Sequence, residues 1–410
     1  MSVSPYVTPS RTEEASELNW PADAQQRIEA SLHAVYRWLE NHHYTAYDPF
    51  EGLSSVLRPL TLGTKFGRQV LVQVVRRSPV NLRPLLGIRP TTGTKGMGFL
   101  AQGYLRWSEY AADPALRDKA ISFYHWLAEH TSGGYSGPCW GNHFDYQTRL
   151  YYAPANTPTV VWSSLIGHAF LEAYDKIGDP WYLSVARGTC EFILRDLPRP
   201  QDSKGSCLSY IPIAPVRVHN ANCLGAALLA QVYQHTREEE LFQVATDALN
   251  YTVSYQSADG SWTYGPEETC AWVDSWHTAY VLDSLESYAV GTGDRRFEDS
   301  CRRGWDFYRQ SFFLPDGTPK YYWNGTYPID IQSAAQALET LCRFQHWNPE
   351  ALSLAVQVAL WTIDHMQDPD GHFYFQRHKF FVNRTATFHW GQATMVSALA
   401  GLLLHMKHGK

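Results

Sequence analysis

The 410-residue sequence lacks the cysteine patterns of metal-binding and disulfide-rich proteins. Its seven cysteines are odd in number and scattered, and no two of them form a CxxC pair. This arrangement argues against a structural zinc site and against a disulfide scaffold. The glycine-rich stretch TTGTKGMG does not have the spacing of a phosphate-binding GxxxxGK[ST] loop. We therefore expect neither a bound metal nor a cofactor.

Long apolar runs and basic runs are also missing. No run reaches the length of about 18 apolar residues that a transmembrane helix needs. The first residues do not combine a positive segment with an apolar one, so no signal peptide is predicted and a cytoplasmic location is expected. Residues 1–20 are predicted to be a flexible tail. The net charge of −6, without a basic run, argues against nucleic acid as a partner.

What the sequence has in quantity is apolar and aromatic side chains. Hydrophobic residues make up 44% of the chain, and there are 15 Trp, 25 Tyr and 18 Phe. This composition can form a large core. Tryptophan and tyrosine near polar groups also suit flat, partly apolar ligands such as sugars.

A small apolar helix followed by an amphipathic helix recurs along the chain. The predicted pairs start near residues 93, 159, 219, 271, 329 and 387. A regular interval of this kind is typical of repeat architectures. The first helices are apolar nearly all round, whereas the second helices carry charges on one face, so an inner ring wrapped by an outer ring satisfies both patterns. We predict an all-α, (α/α)6 toroid over residues 21–410 as a single domain, with helices before residue 80 supplying the missing outer partner; an open solenoid is the alternative.

The starts of the inner helices would meet at one end of such a ring, and two of them carry aspartates. Asp274 and Asp330 are the predicted catalytic pair, because neighbouring helices about 8–10 Å apart can hold carboxylates at the separation of about 6.5–9.5 Å that inverting glycosidases use. Helix capping is the alternative role. Both aspartates are expected slightly inside their helices, which weakens that alternative. His277 is the predicted proton shuttle, with a buried core histidine as the alternative.

Further polar and aromatic residues at these helix starts and in the loop 131–158 are predicted to bind the substrate. The loop is expected to roof the cleft, beside a small β-hairpin at 209–218, because loops of this length are often functional. For Glu267, a solvated loop carboxylate is the alternative. The predicted substrate-binding residues are Trp140, Asn142, Asp145, His219, Asn222, Glu267, Trp276, Gln332, Trp390 and Gln392.

Residues 65–77 form a predicted basic amphipathic helix. Its cations are Lys65, Arg68, Arg76 and Arg77. The simpler interpretation of this pattern is a solvated helix face.

Five motifs carry a resemblance to a known family: YDPFEGL, RRSPVNLRPLLGI, WVDSWHTAYVLDSL, IDIQSAAQAL and HWGQATMVSALAGL. They are spread over residues 47–403. With them the chain resembles the six-hairpin glycosidase superfamily, and most of all the cytoplasmic proteins of exopolysaccharide gene clusters that are grouped there. The resemblance implies a toroid and carbohydrate chemistry. Within the superfamily, unsaturated glucuronyl hydrolases use aspartates at inner-helix starts, while similar rings of N-acylglucosamine 2-epimerases use histidines.

Three functions remain open from the sequence. The first is a carbohydrate-active enzyme of polysaccharide metabolism or biosynthesis that hydrolyses glycosides with the paired carboxylates. The second is a sugar epimerase or isomerase, and the third is a non-catalytic saccharide-binding protein of a polysaccharide-assembly system. A natural-product cyclase would instead have a cleft of aromatics with few polar groups.

Overall fold

The computed structural model describes residues 20–408. The predicted flexible tail therefore lies outside the described residues, apart from Trp20. No helix in the described part of the chain is both long and apolar enough to cross a membrane. The α-helices are α1 (Ala24–Asn41), α2 (Lys65–Arg77), α3 (Thr94–Ala111), α4 (Pro114–Glu129), α5 (Val160–Ile177), α6 (Pro180–Glu191), α7 (His219–Thr236), α8 (Glu239–Val253), α9 (Ser275–Thr292), α10 (Glu298–Ser311), α11 (Ile331–Arg343), α12 (Glu350–Met366) and α13 (Thr394–His408).

The strands are short and form three small antiparallel sheets. Strand β5 pairs with β6, and β6 pairs with β7. The strands are β1 (Tyr146–Gln147), β2 (Tyr152–Ala153), β3 (Gln201–Asp202), β4 (Gly205–Ser206), β5 (Ile329–Asp330), β6 (Tyr374–Arg377) and β7 (Val382–Ala386).

Six helices form a closed inner ring. In order, α3, α5, α7, α9, α11 and α13 each pack against the next, and α13 packs against α3. Helices α4, α6, α8, α10 and α12 each pack on the inner helix that precedes them, and α1 packs on α13. The predicted (α/α)6 toroid is confirmed, and α1 is the missing outer partner that was expected from the residues before 80.

The burial of α7 reflects its position in the inner ring. Every residue of α7 from His219 to Ala230 is buried, as expected for a helix with neighbours on all sides. Helix α3 approaches α13 closely at Gly103, where a β-carbon would lie 2.9 Å from the Ser397 Cα. A side chain at this position would force the two helices apart, so the closure of the ring depends on glycine here.

One partly buried cation connects four helices of the inner ring. The guanidinium of Arg106, on α3, bonds Glu172 of α5 (2.7 Å) and Glu339 of α11 (2.8 Å). It also bonds the hydroxyl of Ser397 on α13 (3.2 Å). Because these residues come from four inner helices, Arg106 lies across the interior of the ring. Arg106 is in the carboxyl-terminal half of α3, where 14% of its side chain is exposed.

Two local elements differ from the sequence predictions. The segment 209–218 does not form two strands; it is a tight turn with a bridge between Ile211 and Ala214. The three-stranded sheet β5–β6–β7 was not predicted. It pairs Asp330 with Gln376 and thereby brings a hairpin to the start of α11.

We expect Arg106→Met to lower the free energy of unfolding by about 1–3 kcal/mol, because two partly buried carboxylates would lose their shared cation. Urea unfolding measures this change. Arg195→Met is the matched control, since that guanidinium bonds Glu240 on the surface, and it should have little effect. Equal losses in both variants would contradict a special role for Arg106.

Acid should act on the same network. Burial alone would raise the pKa of Glu172, but the charge of Arg106 and its hydrogen bonds lower it below the usual value. The stabilisation from this carboxylate is therefore present above the ordinary glutamate pKa and is lost as the pH falls through the lowered one.

Candidate active site

The amino-terminal ends of the inner helices meet beneath α2 and the β1–β2 hairpin. Phe50 connects the two layers: its ring packs edge-on against Trp390 of the inner ring (5.3 Å between centroids) and against Tyr146 of β1 (5.2 Å). Tyrosines gather between these layers. Burial, together with their closeness to one another, raises their pKa values, so their hydroxyls are neutral hydrogen-bonding groups at pH 7. They are Tyr146, Tyr151, Tyr210, Tyr264 and Tyr280.

Asp274 is the N-cap residue of α9, with a fully buried side chain. Its Oδ1 accepts the backbone N–H of His277 (3.0 Å), and its Oδ2 accepts from His277 Nδ1 (2.6 Å) and Trp272 Nε1 (2.9 Å). The expectation that Asp274 lies inside its helix was therefore wrong. One carboxylate both caps the helix and orients the imidazole in its first turn.

His277 is held on three sides. Its ring lies 4.5 Å from the Tyr264 ring and 3.6 Å from the Trp276 ring, and Nδ1 faces Asp274. An ionised carboxylate only accepts, so Nδ1 carries the proton and Nε2 of the neutral ring is an acceptor. Nε2 has no hydrogen bond within residues 20–408, and 13% of the side chain is exposed. This is the geometry of an oriented general base.

Asp330 occupies the corresponding position on α11. It is the N-cap residue, and its carboxylate accepts from Gln332 N (2.9 Å), Gln376 Nε2 (2.6 Å) and Trp390 Nε1 (2.8 Å). Burial raises its pKa, although the three donors and Arg76 oppose that shift. Here too, the expected position inside the helix was wrong. Asp330 is completely buried and joins α11 to the β6 strand and to α13.

The two aspartates lie on adjacent inner helices and are connected through tryptophans. The Trp276 ring meets the Trp390 ring edge-on at 5.1 Å, and Trp390 bonds Asp330. Burial raises the pKa of Tyr321, and both aspartates raise it further. The starts of α9, α11 and α13 therefore form one continuous wall. Proton transfer by a pair of carboxylates stays a prediction.

A second aspartate–histidine pair lies at the start of α13. His389 Nδ1 is 2.8 Å from Asp48 Oδ2, and the His389 Nε2 is buried with no partner in the described structure. Burial lowers the pKa of His389, so the ring is neutral at pH 7. The pKa of Asp48 is also lowered: burial opposes this shift, while the hydrogen bond of His389 and, in acid, the charge of its protonated ring produce it.

Lys95 lies beside this pair in the first turn of α3. Burial lowers its pKa to about 7, although Asp48 opposes the shift. Its Nζ lies 4.6 Å from the centre of the Trp162 ring. Sequence reasoning missed both Lys95 and Asp48. A lysine at the start of an otherwise apolar inner helix was the available signal, because lysine is rarely buried.

Three predicted residues at this end of the ring, and two that were not predicted, Asn220 and His389, keep buried polar atoms without a partner in the described part of the protein. Such atoms are costly, by about 1–3 kcal/mol each, and they are typical of sites that bind a polar ligand. Burial lowers the pKa of His219 to about 4, so that imidazole is neutral as well. The atoms are Nδ1 and Nε2 of His219, Oδ1 of Asn220, Nε1 of Trp276, Oε1 of Gln332 and Nε2 of His389.

Three residues predicted to bind substrate have structural roles instead. Trp140 is fully buried and donates to the Leu127 carbonyl (2.9 Å), so it cannot stack on a sugar. Asn222 is saturated by Leu208, Ala248 and Thr252. The amide of Gln392 pairs with the backbone of Phe373 in both directions. The sequence pattern placed Asn222 and Gln392 correctly near helix starts, but it did not show that protein groups occupy the hydrogen-bonding atoms of these side chains and of Trp140.

The remaining three predicted residues lie in loops. Asp145 forms an ion pair with Arg58 and accepts from the Tyr152 hydroxyl, so it stabilises the roof loop. Glu267 forms an ion pair with Arg217 at the surface. Asn142 is partly exposed on the same roof loop.

Arg76 belongs to the site, contrary to its assignment to a solvated face. Its guanidinium lies over the Phe50 ring (4.6 Å) and has no hydrogen bond or ion pair among the residues described. Burial raises the pKa of Asp330, and the charge of Arg76 opposes that rise. Arg68, on the same helix, bonds Gln147 of β1 (2.9 Å). The solvated-face interpretation therefore fits only Lys65 and Arg77.

One group outside this site has ligand atoms close enough to hold a metal ion. Asp368, Asp370 and His372 bring theirs within 4.8 Å of one another. Hydrogen bonds within a turn already occupy them: His372 Nδ1 pairs with Asp370 (2.6 Å), and Asp368 accepts from Tyr374 (2.9 Å). Nothing at this position points to a ligand.

Known structures share this fold. No protein-family model and no curated protein matches the sequence. An unsaturated glucuronyl hydrolase specific for heparin aligns with a TM-score of 0.61 at 12% identity, over 94% of this chain and 97% of its own. A sugar epimerase from a ruminal bacterium aligns at 0.60 and 13%, over 78% and 90%. A GH76 alpha-mannanase from Bacteroides thetaiotaomicron aligns at 0.59 and 11%, over 77% and 87%. The chain has the α/α-toroid fold of these carbohydrate-acting enzymes, which differ among themselves in their reactions.

We expect Asp330→Asn to destabilise the protein by about 1–3 kcal/mol, because the new amide would point a donor at the donors of Gln376 and Trp390. Thermal unfolding of the variant measures this. Glu267→Gln, a change of the same type on a surface carboxylate, serves as the control. A melting temperature of Asp330→Asn equal to that of the control would show that the carboxylate is not the structural centre described here.

Proposed function

We propose that this protein is a carbohydrate-active enzyme in which His277, oriented by Asp274, is the acid–base residue. The observation that carries the proposal is the hydrogen bond of 2.6 Å between His277 Nδ1 and Asp274, with Nε2 left free. Tyrosine hydroxyls, unpartnered polar atoms and the tryptophan rings around it suit a saccharide. Proteins of the same fold include a sugar epimerase, an alpha-mannanase and an unsaturated glucuronyl hydrolase.

Sugar epimerisation or isomerisation fits these contacts best. In this chemistry a base removes the proton next to the carbonyl of an open-chain sugar, the electron pair moves to the carbonyl oxygen, and a proton then returns to carbon. His277 would take the first proton. Lys95, which lies beside the pair of His389 and Asp48, would return one as an ammonium group, since its pKa of about 7 suits proton transfer at neutral pH.

Hydrolysis by Asp274 and Asp330 is the second candidate. The raised pKa of Asp330 favours it, because a general acid must be protonated. Against it, each carboxylate accepts three hydrogen bonds and is buried away from the open space. A part in polysaccharide biosynthesis, in the cytoplasm, belongs to the same proposal and is supported by the sequence motifs alone.

Reaction in D2O separates the two candidates. With a panel of oligosaccharides, epimerisation or isomerisation should give products that contain one carbon-bound deuterium and no added water. Hydrolysis should give products that have gained water and carry no deuterium on carbon. Mass spectrometry and proton NMR measure both. If no saccharide reacts but some bind, the non-catalytic alternative holds.

We expect His277→Gln to lower kcat by about a hundredfold to ten-thousandfold, the usual contribution of a general base, with little change in KM. Asp274→Asn should also reduce kcat, because it disturbs the orientation and tautomer of the ring. His346→Gln is the control, since that imidazole lies next to Glu286 at the other end of the ring. Wild-type kcat in the His277 variant would overturn the assignment.

Arg76 should bind an anionic group of the substrate, such as a uronic acid carboxylate. Arg76→Gln is expected to weaken binding of a glucuronate-containing disaccharide by about tenfold or more and to leave its neutral glucose counterpart unaffected. Isothermal titration calorimetry measures both affinities. Arg77→Gln is the control, because this neighbour has the same charge but is exposed to solvent. Equal effects of the two variants would contradict a direct contact.

A further inference from the structure

Helix α2 has a second face that the active site does not use. Val72 and Val75 are buried against the protein, while Phe66, Val70 and Val74 point outwards at four-residue spacing. Leu62 continues this row before the helix. Leu62 and Phe66 are 84% and 77% exposed, so the row is an apolar stripe in contact with solvent. An exposed stripe of this kind marks an interaction surface.

The stripe is part of a larger apolar area. Of the fifteen exposed large hydrophobic side chains in the described structure, nine lie within residues 56–85. Phe380, 88% exposed, is carried on the turn between β6 and β7, and Asn383 of β7 bonds the Ser78 carbonyl (3.1 Å) at the end of α2. The α2 patch is defined here as Leu60, Leu62, Phe66, Val70, Val74 and Phe380.

Positive charge surrounds the α2 patch. Residues 52–90 contain seven Lys and Arg and no Asp or Glu. Two of the seven are neutralised by acidic residues from outside this stretch, since Arg83 pairs with Glu51 and Arg58 with Asp145. Lys65, Arg77 and Lys379 are exposed and have no ion pair with any residue that the structure describes. Lys379 lies over the ring of Phe380, 5.3 Å from its centre, so charge and apolar surface are next to each other.

We propose that the α2 patch docks this protein onto the surface of a membrane that contains anionic phospholipids. The apolar side chains would enter the region between headgroups and acyl chains, while the surrounding cations bind lipid phosphates. The positive charge favours a lipid surface over a second copy of this chain. Two copies that docked through the patch would bring their cations together and repel each other, whereas anionic lipid headgroups attract these cations. Docking does not depend on the proposed reaction. Because Arg76 lies on the inner side of α2, docking through the outer side would place the proposed active site next to the lipid.

Co-sedimentation of the intact protein with vesicles tests the proposal. We expect binding to vesicles of equal parts phosphatidylcholine and phosphatidylglycerol, and at least about tenfold weaker binding to phosphatidylcholine alone. Binding should also weaken at high salt because of screening. Equal binding to both vesicles, or binding to neither, would overturn the proposal.

Two sets of variants separate the apolar and the charged contributions. Leu62→Glu with Phe66→Glu should reduce partitioning by more than about tenfold, because each side chain loses its burial in the lipid. Lys65→Gln, Arg77→Gln and Lys379→Gln should each reduce it by about fivefold. The control is Val290→Glu, an exposed valine on α9. All substituted side chains are exposed, and circular dichroism melting checks that each variant folds.

A label reports the depth of the contact directly. The seven native cysteines are all buried, so Phe66→Cys adds an accessible thiol for an environment-sensitive dye. The emission of this dye should shift to the blue on mixed vesicles, and that of a dye at Val290→Cys should not. Sedimentation velocity without lipid tests whether the patch binds a second copy of this chain instead. A wild-type dimer that Phe66→Glu dissociates would assign the patch to self-association and overturn membrane docking.

Discussion

Arg106 is the interaction on which the arrangement of the ring depends. Its guanidinium connects residues of α3, α5, α11 and α13, and its position inside the ring makes it electrostatically costly to leave the two glutamates without it. The network lies away from the amino-terminal helix ends, where His219, Trp276, Gln332 and His389 keep unpartnered polar atoms. The proposed saccharide chemistry would take place at those ends.

At that end of the ring, the residues that cap the helices are the same ones for which acid–base chemistry is proposed. A carboxylate at an N-cap already accepts a backbone N–H, and its second oxygen can hold another donor in the first turn. Asp274 uses this second oxygen to orient His277, whereas Asp330 uses its own for Gln376 and fixes a β-hairpin. The same local position thus gives an oriented imidazole on α9 and a structural junction on α11.

Helix α2 is a boundary between three environments. Its buried valines pack on the protein, Arg76 reaches Phe50 beside the active site, and Phe66 faces outwards. A helix with 3.6 residues per turn can serve all three because consecutive residues point in different directions. If the outward side binds lipid as proposed, docking of α2 at the membrane would also affect how substrates reach the proposed active site.

The sequence by itself determined the repeat of apolar and amphipathic helices, because the spacing of apolar residues sets which helix faces are buried. This repeat in turn determined the closed double ring. It also placed Asp274 and His277 together, since they are three residues apart on one helix. Only the tertiary structure decided the partners of distant polar groups. Asp48 meets His389 across the closing contact of the ring, while Trp140 and Asn222 are satisfied by neighbouring segments. Periodicity shows that a side chain faces inwards, but which donor or acceptor it meets there depends on how the ring closes.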